Sequence, residues 1–370
     1  MSDAVRLYQT VYLLIATYLP DFKEEHKITL SEMITGILRS NSVQFRQIAE
    51  KVDYDGKNES LVDKFRRFVR NKNIPVRLNY LPFVHLILNA LQGQELVLIM
   101  DSSKAGGRCI CLMLSLYYKG RALPLCWTVA GGRKGHSSAH LQLEIVKYIA
   151  PLLAKNAKVT FLGDGEFDST ELISWLKEKN WRYVCRTATN IKVFYNKKWI
   201  NLKDLKPKDG ETGFLNDVLF TEKDKIKGVN IAIYWCKKHK RHAFLVTNTA
   251  NFAQSQKWYR LRFTIETFFS DVKKRGFNLA GTRLYHPERV SRLMLGVSIA
   301  YIFTIFLGTQ AIVSSAVASI ARPADSWYDT YYSLFQLGLI YLDHLLNRYL
   351  SIPIICTFPK PNEFHHGSVI

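Results

Sequence analysis

The sequence predicts an α/β protein whose strand-rich centre is flanked by helical segments. Three observations lead there. Residues 1–92 carry apolar side chains at helical spacing. From Leu96 the pattern changes to β-rich runs divided by glycine-containing turns. The 370 residues, 48% of them hydrophobic, are enough for one large domain with a smaller companion.

Taken in order, Leu13, Leu14, Ile15, Tyr18 and Leu19 predict a first helix that Pro20 ends, and Ser31 is the expected cap of a second that runs to Arg39. Asn41-Ser42 then turns the chain into a helical stretch over Val43–Val52, a pattern similar to a helix-turn-helix. Ser60 is the expected start of a helix that buries Phe65, Phe68 and Val69 and turns Lys64, Arg66, Arg67 and Arg70 outward. Such a face is either a solvated surface or a phosphate contact, for which Lys64 and Arg67 are the candidates. Ile74-Pro75 closes this helix, and Leu81–Leu91 leads into the centre.

There, Leu96–Asp101, Cys109–Tyr118 and Ala122–Val129 predict a three-stranded meander. Ser137–Leu153 should be helix, Lys158–Gly163 strand, Ser169–Lys179 helix and Trp181–Arg186 strand. Three antiparallel strands followed by alternating helices and strands is the order of the RNase H-like fold. Lys192–Val246 then supplies further Tyr, Trp, Val and Ile runs, read as a β insertion over about 187–246. Met294–Ala321 holds 28 residues without a charge, long enough to cross a bilayer. Its interruption by Ser, Thr, Gln and Gly favours a buried helix, or two broken near Gly308, over a membrane anchor. A last helix is expected within Trp327–Arg348. The division that follows is a helical segment over 1–92, a central domain over 93–300 and a helical region over 301–370.

Lys and Arg number 51 against 31 Asp and Glu, a net charge of +20, which calls for a polyanionic partner such as nucleic acid or an anionic membrane surface. Lys177–Arg241 alone holds 17 basic and 7 acidic residues, whereas 296–370 holds 3 and 4, so the positive field lies over the centre. Six cysteines lack the paired spacing of a zinc site or a disulfide ladder and are expected as reduced thiols. The N-terminus lacks the basic opening and cleavage site of a signal peptide, so a cytoplasmic protein is expected.

Three acids stand apart from this basic background. Asp101 ends the apolar run Leu96–Met100, and Asp164 ends Val159–Gly163. Carboxylates at the tips of two buried strands are poor surface residues and good metal ligands. Glu266 lies in Trp258–Lys274, where helical spacing puts Tyr259, Arg262, Glu266 and Lys273 along one side. Three oxygen ligands of this kind suit Mg²⁺ or Mn²⁺, with phosphoryl transfer as the chemistry.

The order Asp101, Asp164, Glu266, with the Tyr-x2-Arg-x3-Glu-x6-Lys spacing met at all four positions, resembles the DDE transposases of bacterial insertion sequences, and within them the insertion sequence four family. The resemblance spans about residues 96–300. It implies an enzyme that binds the inverted ends of its element, with the helical segment over 1–92 as the expected DNA-end-binding domain and 93–300 as the catalytic one, cleaves the DNA strands and joins the 3′ ends to target DNA as a homodimer pairing two ends. Tyr259, Arg262 and Lys273 are then contacts to the transposon end, with Lys104 and Arg186 as weaker candidates. It also implies a hairpin intermediate with a flipped base stacked on a Trp of the β insertion, for which Trp235 is the first candidate and Trp199 the second.

Two cations about 3.5–4 Å apart serve such chemistry, with Asp101 as the shared ligand and Asp164 and Glu266 holding one ion each. Glu144, Glu166 and Asp168 are rival carboxylates; Asp168 with Ser169 reads as a helix cap. His136 with His140 and His239 with His242 lack a partnering acid or thiol. Gly131–Gly135 lacks the ending of a P-loop, so no ATP requirement follows. Two other readings are an RNase H-like nuclease or resolvase that cuts without joining, and a DNA-binding repressor derived from a transposase.

Overall fold

The computed structural model describes residues 1–132, 137–205, 207–208, 210–236, 240–320 and 332–361. Five helices precede the first strand: α1 (Asp3–Tyr18), α2 (Glu24–Ser40), α3 (Phe45–Ala49), α4 (Asn58–Arg70) and α5 (Val76–Ala90). Two of them begin earlier than their serines suggested. Ser31 lies buried in the middle of α2, whose first turn holds Glu24 and Glu25, acids that suit a helix N-terminus. α4 likewise starts before Ser60, with Glu59 in its first turn. The stretch expected over Val43–Val52 is helical only through the five residues of α3. Asn41 ends α2 in the left-handed conformation, as its amide side chain tolerates.

The centre follows the expected order: β1 (Leu96–Lys104), β2 (Cys109–Tyr118), β3 (Arg121–Gly131), α6 (Ala139–Ile149), β4 (Val159–Gly163), α7 (Thr170–Glu178) and β5 (Arg182–Thr187). β2 and β3 are joined by Lys119-Gly120, both at positive φ, as a two-residue hairpin loop matched to strand twist requires. Five more strands follow: β6 (Lys192–Tyr195), β7 (Lys198–Asn201), β8 (Gly213–Phe220), β9 (Ile226–Cys236) and β10 (Arg241–Thr247). All ten form one sheet in the order β3-β2-β1-β4-β5-β10-β9-β8-β6-β7. β1, β4 and β5 are parallel to one another, and β2 and β10 run antiparallel beside them. The inserted strands therefore extend the central sheet through β10.

The remaining helices are α8 (Phe252–Leu261), α9 (Thr264–Ser270), α10 (Pro287–Val313), α11 (Val317–Ile320) and α12 (Leu334–Asn347). α10 is long and apolar enough to cross a bilayer, yet 94% of its most apolar window is buried inside the protein. It packs against α2, α4, α5, β3 and α12, so the apolar run is spent on the core. Gly308 was one expected breaking point, but α10 passes through it unbroken. Its lack of a side chain serves packing instead. A Cβ on Gly308 would stand 2.1 Å from the Leu334 carbonyl oxygen, and one on Gly338 in α12 would stand 1.9 Å from that of Thr304. Trp327, where the last helix was expected to begin, lies outside the described residues.

The core is continuous from Leu7 in α1 to Phe358 after α12. Polar ties join the chain's two ends: Arg6 donates to the carbonyls of Leu346, at 3.0 Å, and Leu350, and the Tyr18 hydroxyl donates to that of Ile355 at 2.9 Å.

The glycine crossing yields a direct test. Gly338→Ala should destabilise the fold by about 1–3 kcal/mol through overpacking, read by urea denaturation. Gly131→Ala, whose new methyl group meets nothing within 4 Å, should change stability by less than about 0.5 kcal/mol. Equal effects of the two would remove close backbone approach as the reason for Gly338.

Candidate active site

The site begins with a register. In the parallel pair of β1 and β4, Met100 lies beside Gly163, so the next residues sit side by side: Asp164 just past the end of β4, and Asp101 within β1, which runs on to Lys104 beyond the expected tip. Parallel strands in register present paired residues to one face, about 4.8 Å apart in backbone terms. Asp101 is nearly fully buried and accepts the Ser102 N–H at 2.7 Å. Asp164 is half-buried and accepts the Glu166 N–H at 3.0 Å, which closes a turn after β4.

Glu266 comes from a helical path that is not one continuous α-helix, contrary to the single stripe expected. α8 stops at Leu261, α9 starts at Thr264, and Asp271–Arg275 forms a π-helical turn. Between α8 and α9 the bonds are of the tighter i to i−3 kind: Arg262 N–H to the Tyr259 carbonyl at 3.1 Å, and Glu266 N–H to that of Phe263 at 3.1 Å. Arg262 sits at this joint. Its guanidinium donates to Glu266 Oε1 at 2.7 Å, and its Nη1 lies 3.9 Å from Asp101 Oδ2. The arginine and Asp101 side chains are only 7% and 4% exposed, whereas that of Glu266 is 54% exposed.

Lys273 reaches the same face of β1, where its ammonium donates to the Ser103 hydroxyl at 2.6 Å, two residues beyond Asp101. Tyr259 packs beneath, with its ring centroid 6.3 Å from that of Tyr234 and the Arg262 guanidinium carbon 5.7 Å from its centroid. Burial pushes the Tyr259 phenol up, opposed by the positive charges of Arg262 and Arg186. The same tyrosine feels the charge of Asp164, so Asp101, Asp164, Glu266, Arg186 and Arg262 all border one electrostatic environment.

Residues 93–303, more than half of the chain, match the family model described as the transposase DDE domain. The chain belongs to this family. No curated protein matches it. Among solved structures, a piggyBac transposase synaptic complex with hairpin DNA, determined by cryo-electron microscopy, is similar with a TM-score of 0.44 at 11% identity, over 95% of this chain and 80% of that one.

In this transposase-domain protein the rival carboxylates each have partners of their own. Glu144 pairs with Arg77 at 2.7 Å. Glu166 accepts from the Ser102 hydroxyl and the Ser137 N–H, both at 2.7 Å. Asp168 is not the cap it was expected to be: Ser169 caps α7, and Asp168 accepts from the Thr187 hydroxyl at 2.6 Å. Burial pushes its carboxyl up against that bond. The network of Ser102, Glu166, Ser137 and Gln142 behind the site was not foreseen, since its members are scattered in sequence.

Of the other predicted contacts, Arg186 borders the site through Tyr259, and the rest are dispersed. Lys104 is exposed at the end of β1, and Arg186 is half-buried on β5. Trp235 lies opposite His242, with ring centroids 4.9 Å apart. Alternation along β9 aims it to the face opposite Tyr234 and Tyr259, so the structure does not bring it to Arg262. Trp199 is on β7 at the far edge of the sheet, packed on Phe194. Lys64 forms a 2.8 Å ion pair with buried Glu32, and Arg67 is exposed on α4. His136 and His239 lie outside the described residues, as do residues 133–135 of the glycine-rich loop.

Among the described residues no group of three His, Cys, Asp or Glu is closed around a single ion position. The donor set nevertheless suits a hard divalent cation: two carboxylates side by side, and a third that shares a guanidinium with one of them. Arg262 now supplies the positive charge that these acids require.

A second buried pair supports the helical path. Asp271, in the π turn, accepts from Arg121 at 2.9 Å, yet burial pushes its carboxyl up to about 6, against Arg121 and Arg275. An unfolded Asp titrates near about 3.9, so between roughly pH 4 and 6 the folded state binds more protons and this group's contribution to stability falls as pH rises. Asp271→Asn should therefore flatten the stability profile across that window, as measured by urea denaturation at several pH values. Parallel profiles for the two proteins would refute the assignment.

Proposed function

We propose that the chain is a metal-dependent DNA transposase that binds the inverted ends of an insertion sequence, cleaves the strands and joins the 3′ ends to target DNA. The observation that carries this reading is the placing of Asp101 beside Asp164 on neighbouring strands, with Arg262 linking Asp101 to Glu266, in a chain of the DDE transposase family. The spacing of Tyr259, Arg262, Glu266 and Lys273 supports the insertion sequence four group. The strand order β3-β2-β1-β4-β5, with β1, β4 and β5 parallel, supports an RNase H-like core over 93–300 that carries the extra strands as an insertion.

Asp101, Asp164 and Glu266 would hold two Mg²⁺ or Mn²⁺ ions, Asp101 in common, and such a pair when bound activates the attacking oxygen and stabilises the leaving one. The chain's own residues do the rest. Burial of Asp101 on β1 fixes the centre of the site. The exposed side of Glu266 leaves it able to exchange Arg262 for another cationic partner. Arg262, once released, has the forked donors that grip a phosphate, and Lys273, bound to Ser103 beside Asp101, adds a point charge. Water or a DNA 3′-hydroxyl is the nucleophile, so cutting and joining share one site. A homodimer would hold two ends together. Trp235 or Trp199 would stack a flipped base only where the DNA reaches their own faces of the sheet.

Purified protein with Mn²⁺, a donor end and a plasmid should give joined products; nicks without joining would favour a nuclease or resolvase. Asp101→Asn, Asp164→Asn and Glu266→Gln should each lower strand cleavage by at least about a thousandfold, with duplex binding retained. A repressor reading would be preferred if the wild type binds ends and neither cuts nor joins. Arg262→Ala should weaken binding and reduce the salt dependence of log K by about one phosphate contact.

A further inference from the structure

Away from Asp101, a cleft of about 330 Å³ opens between the N-terminal helices and the segment that leads into α10. Five arginines line it: Arg46 of α3, Arg66 and Arg70 of α4, Arg283, and Arg289 in the first turns of α10. No acidic side chain lines it. Arg66 pairs with Asp63 at 2.8 Å. Among the described residues, the side chains of Arg46, Arg70, Arg283 and Arg289 have no hydrogen-bonding or acidic partner. Four unpaired guanidiniums directed at one cleft repel each other, and such an arrangement is relieved by an anion.

The walls are held in place. Buried Arg292 of α10 donates to the Val69 carbonyl of α4 at 3.0 Å and to that of Glu288 at 3.3 Å, which ties the two sides together. The wall over 281–285 is fastened to the turn after β1: Gly107 N–H donates to the Leu284 carbonyl at 3.3 Å, and the Cys109 thiol to that of Tyr285 at 3.3 Å. That turn begins about five residues beyond Asp101, roughly 16 Å along the strand direction.

We infer that this cleft seats the sugar-phosphate backbone of duplex DNA, away from the bond placed at Asp101 and without reading its bases. The inference rests on the transposase reading and adds a site to it. Guanidiniums on three helices and on the segment that leads into α10 suit a run of phosphates better than one small anion, and contacts to phosphate carry no sequence information. The N-terminal helices and the catalytic sheet then form a single clamp.

The test uses the full-length protein without divalent ions, so that cleavage does not enter. Anisotropy of two labelled 30-bp duplexes of unrelated sequence is followed from about 50 to 300 mM NaCl. The variant R46A/R70A/R283A/R289A should bind both duplexes about 10–100-fold more weakly, with the slope of log K against log salt lowered by two to three. The matching Arg→Lys variant should keep most of that slope and serves as the check on folding, alongside a thermal melt. A control, K223A/K225A/K227A on the exposed turn after β8 and the start of β9, should change the slope far less. An unchanged slope in the arginine variant, an equal loss in the control, or a loss confined to one sequence would each overturn the cleft assignment. Strand cleavage is measured apart from this, with divalent ions present, so failure of the catalytic reading and failure of the cleft are read in separate assays.

Discussion

The guanidinium of Arg262 is the contact on which the site depends. A charged group with 7% of its side chain exposed is tolerated only when paired, because its hydration has been given up. Here the partners are Glu266 at 2.7 Å and Asp101 at 3.9 Å, one from its own helical path and one from the central strand. The arginine therefore fastens the joint between α8 and α9 to β1. It also answers a problem created by the sheet. The pairing of Met100 with Gly163 sets Asp101 beside Asp164, and two neighbouring carboxylates in a partly buried place repel one another unless a cation stands near. The folded chain provides that cation itself, at the place where a ligand cation would compete for the same oxygens.

Such a joint needs rigid support, and α10 provides it. This helix gives almost its whole surface to the core, touching β3 and the helices from both ends of the chain. The approach of Gly308 to Leu334 and of Gly338 to Thr304 lets α12 press against it at backbone distance. Asp271, held by Arg121 of β3, pins the turn that follows α9. The N-terminal helices reach the site's surroundings through the same scaffold, since Arg292 on α10 bonds to Val69 on α4. Position at Glu266 is thus shared among elements drawn from the whole chain.

Much of this was legible where the physical cause is local. The strand runs ending at Asp101 and Asp164 were readable because a buried parallel strand is apolar at every position, and the bounds of β2 at Cys109 and Tyr118 follow from the turns that flank it. What depends on distant partners was not readable. Ser31 and Ser60 looked like caps because serine favours that place, but the helices start further upstream, after Lys23 and Lys57 with no side-chain cap and with acids in their first turns, and Ser31 lies inside the packed helix. Gly308 looked like a break because a glycine weakens a helix, while its reason lay in α12. Lys64 looked like a solvent-facing charge because Glu32, its partner, lies 32 residues away in sequence. Asp101 and Asp164 were legible as neighbours, whereas the Arg262 bridge from Asp101 to Glu266 was not, since spacing alone says nothing of a contact across the strand.

The helical path from Tyr259 to Lys273 shows why the expected stripe was right in membership and wrong in form. A continuous α-helix turns 3.6 residues per revolution, whereas the bonds around Arg262–Glu266 are of the 3-10 kind, near 3.0, and the Asp271–Arg275 turn is wider than either. Tightening first advances the side chains around the axis, and widening later sets them back. Arg262 consequently meets Asp101, and eleven residues on, Lys273 still meets Ser103. On β1 these two partners are two residues apart, the period at which a strand returns to the same face. The arginine-to-lysine spacing therefore has to satisfy a helix with two irregular turns and a strand with a fixed repeat at once. Inserting or deleting one residue between Arg262 and Lys273 would rotate one contact off that face whichever of the two was kept.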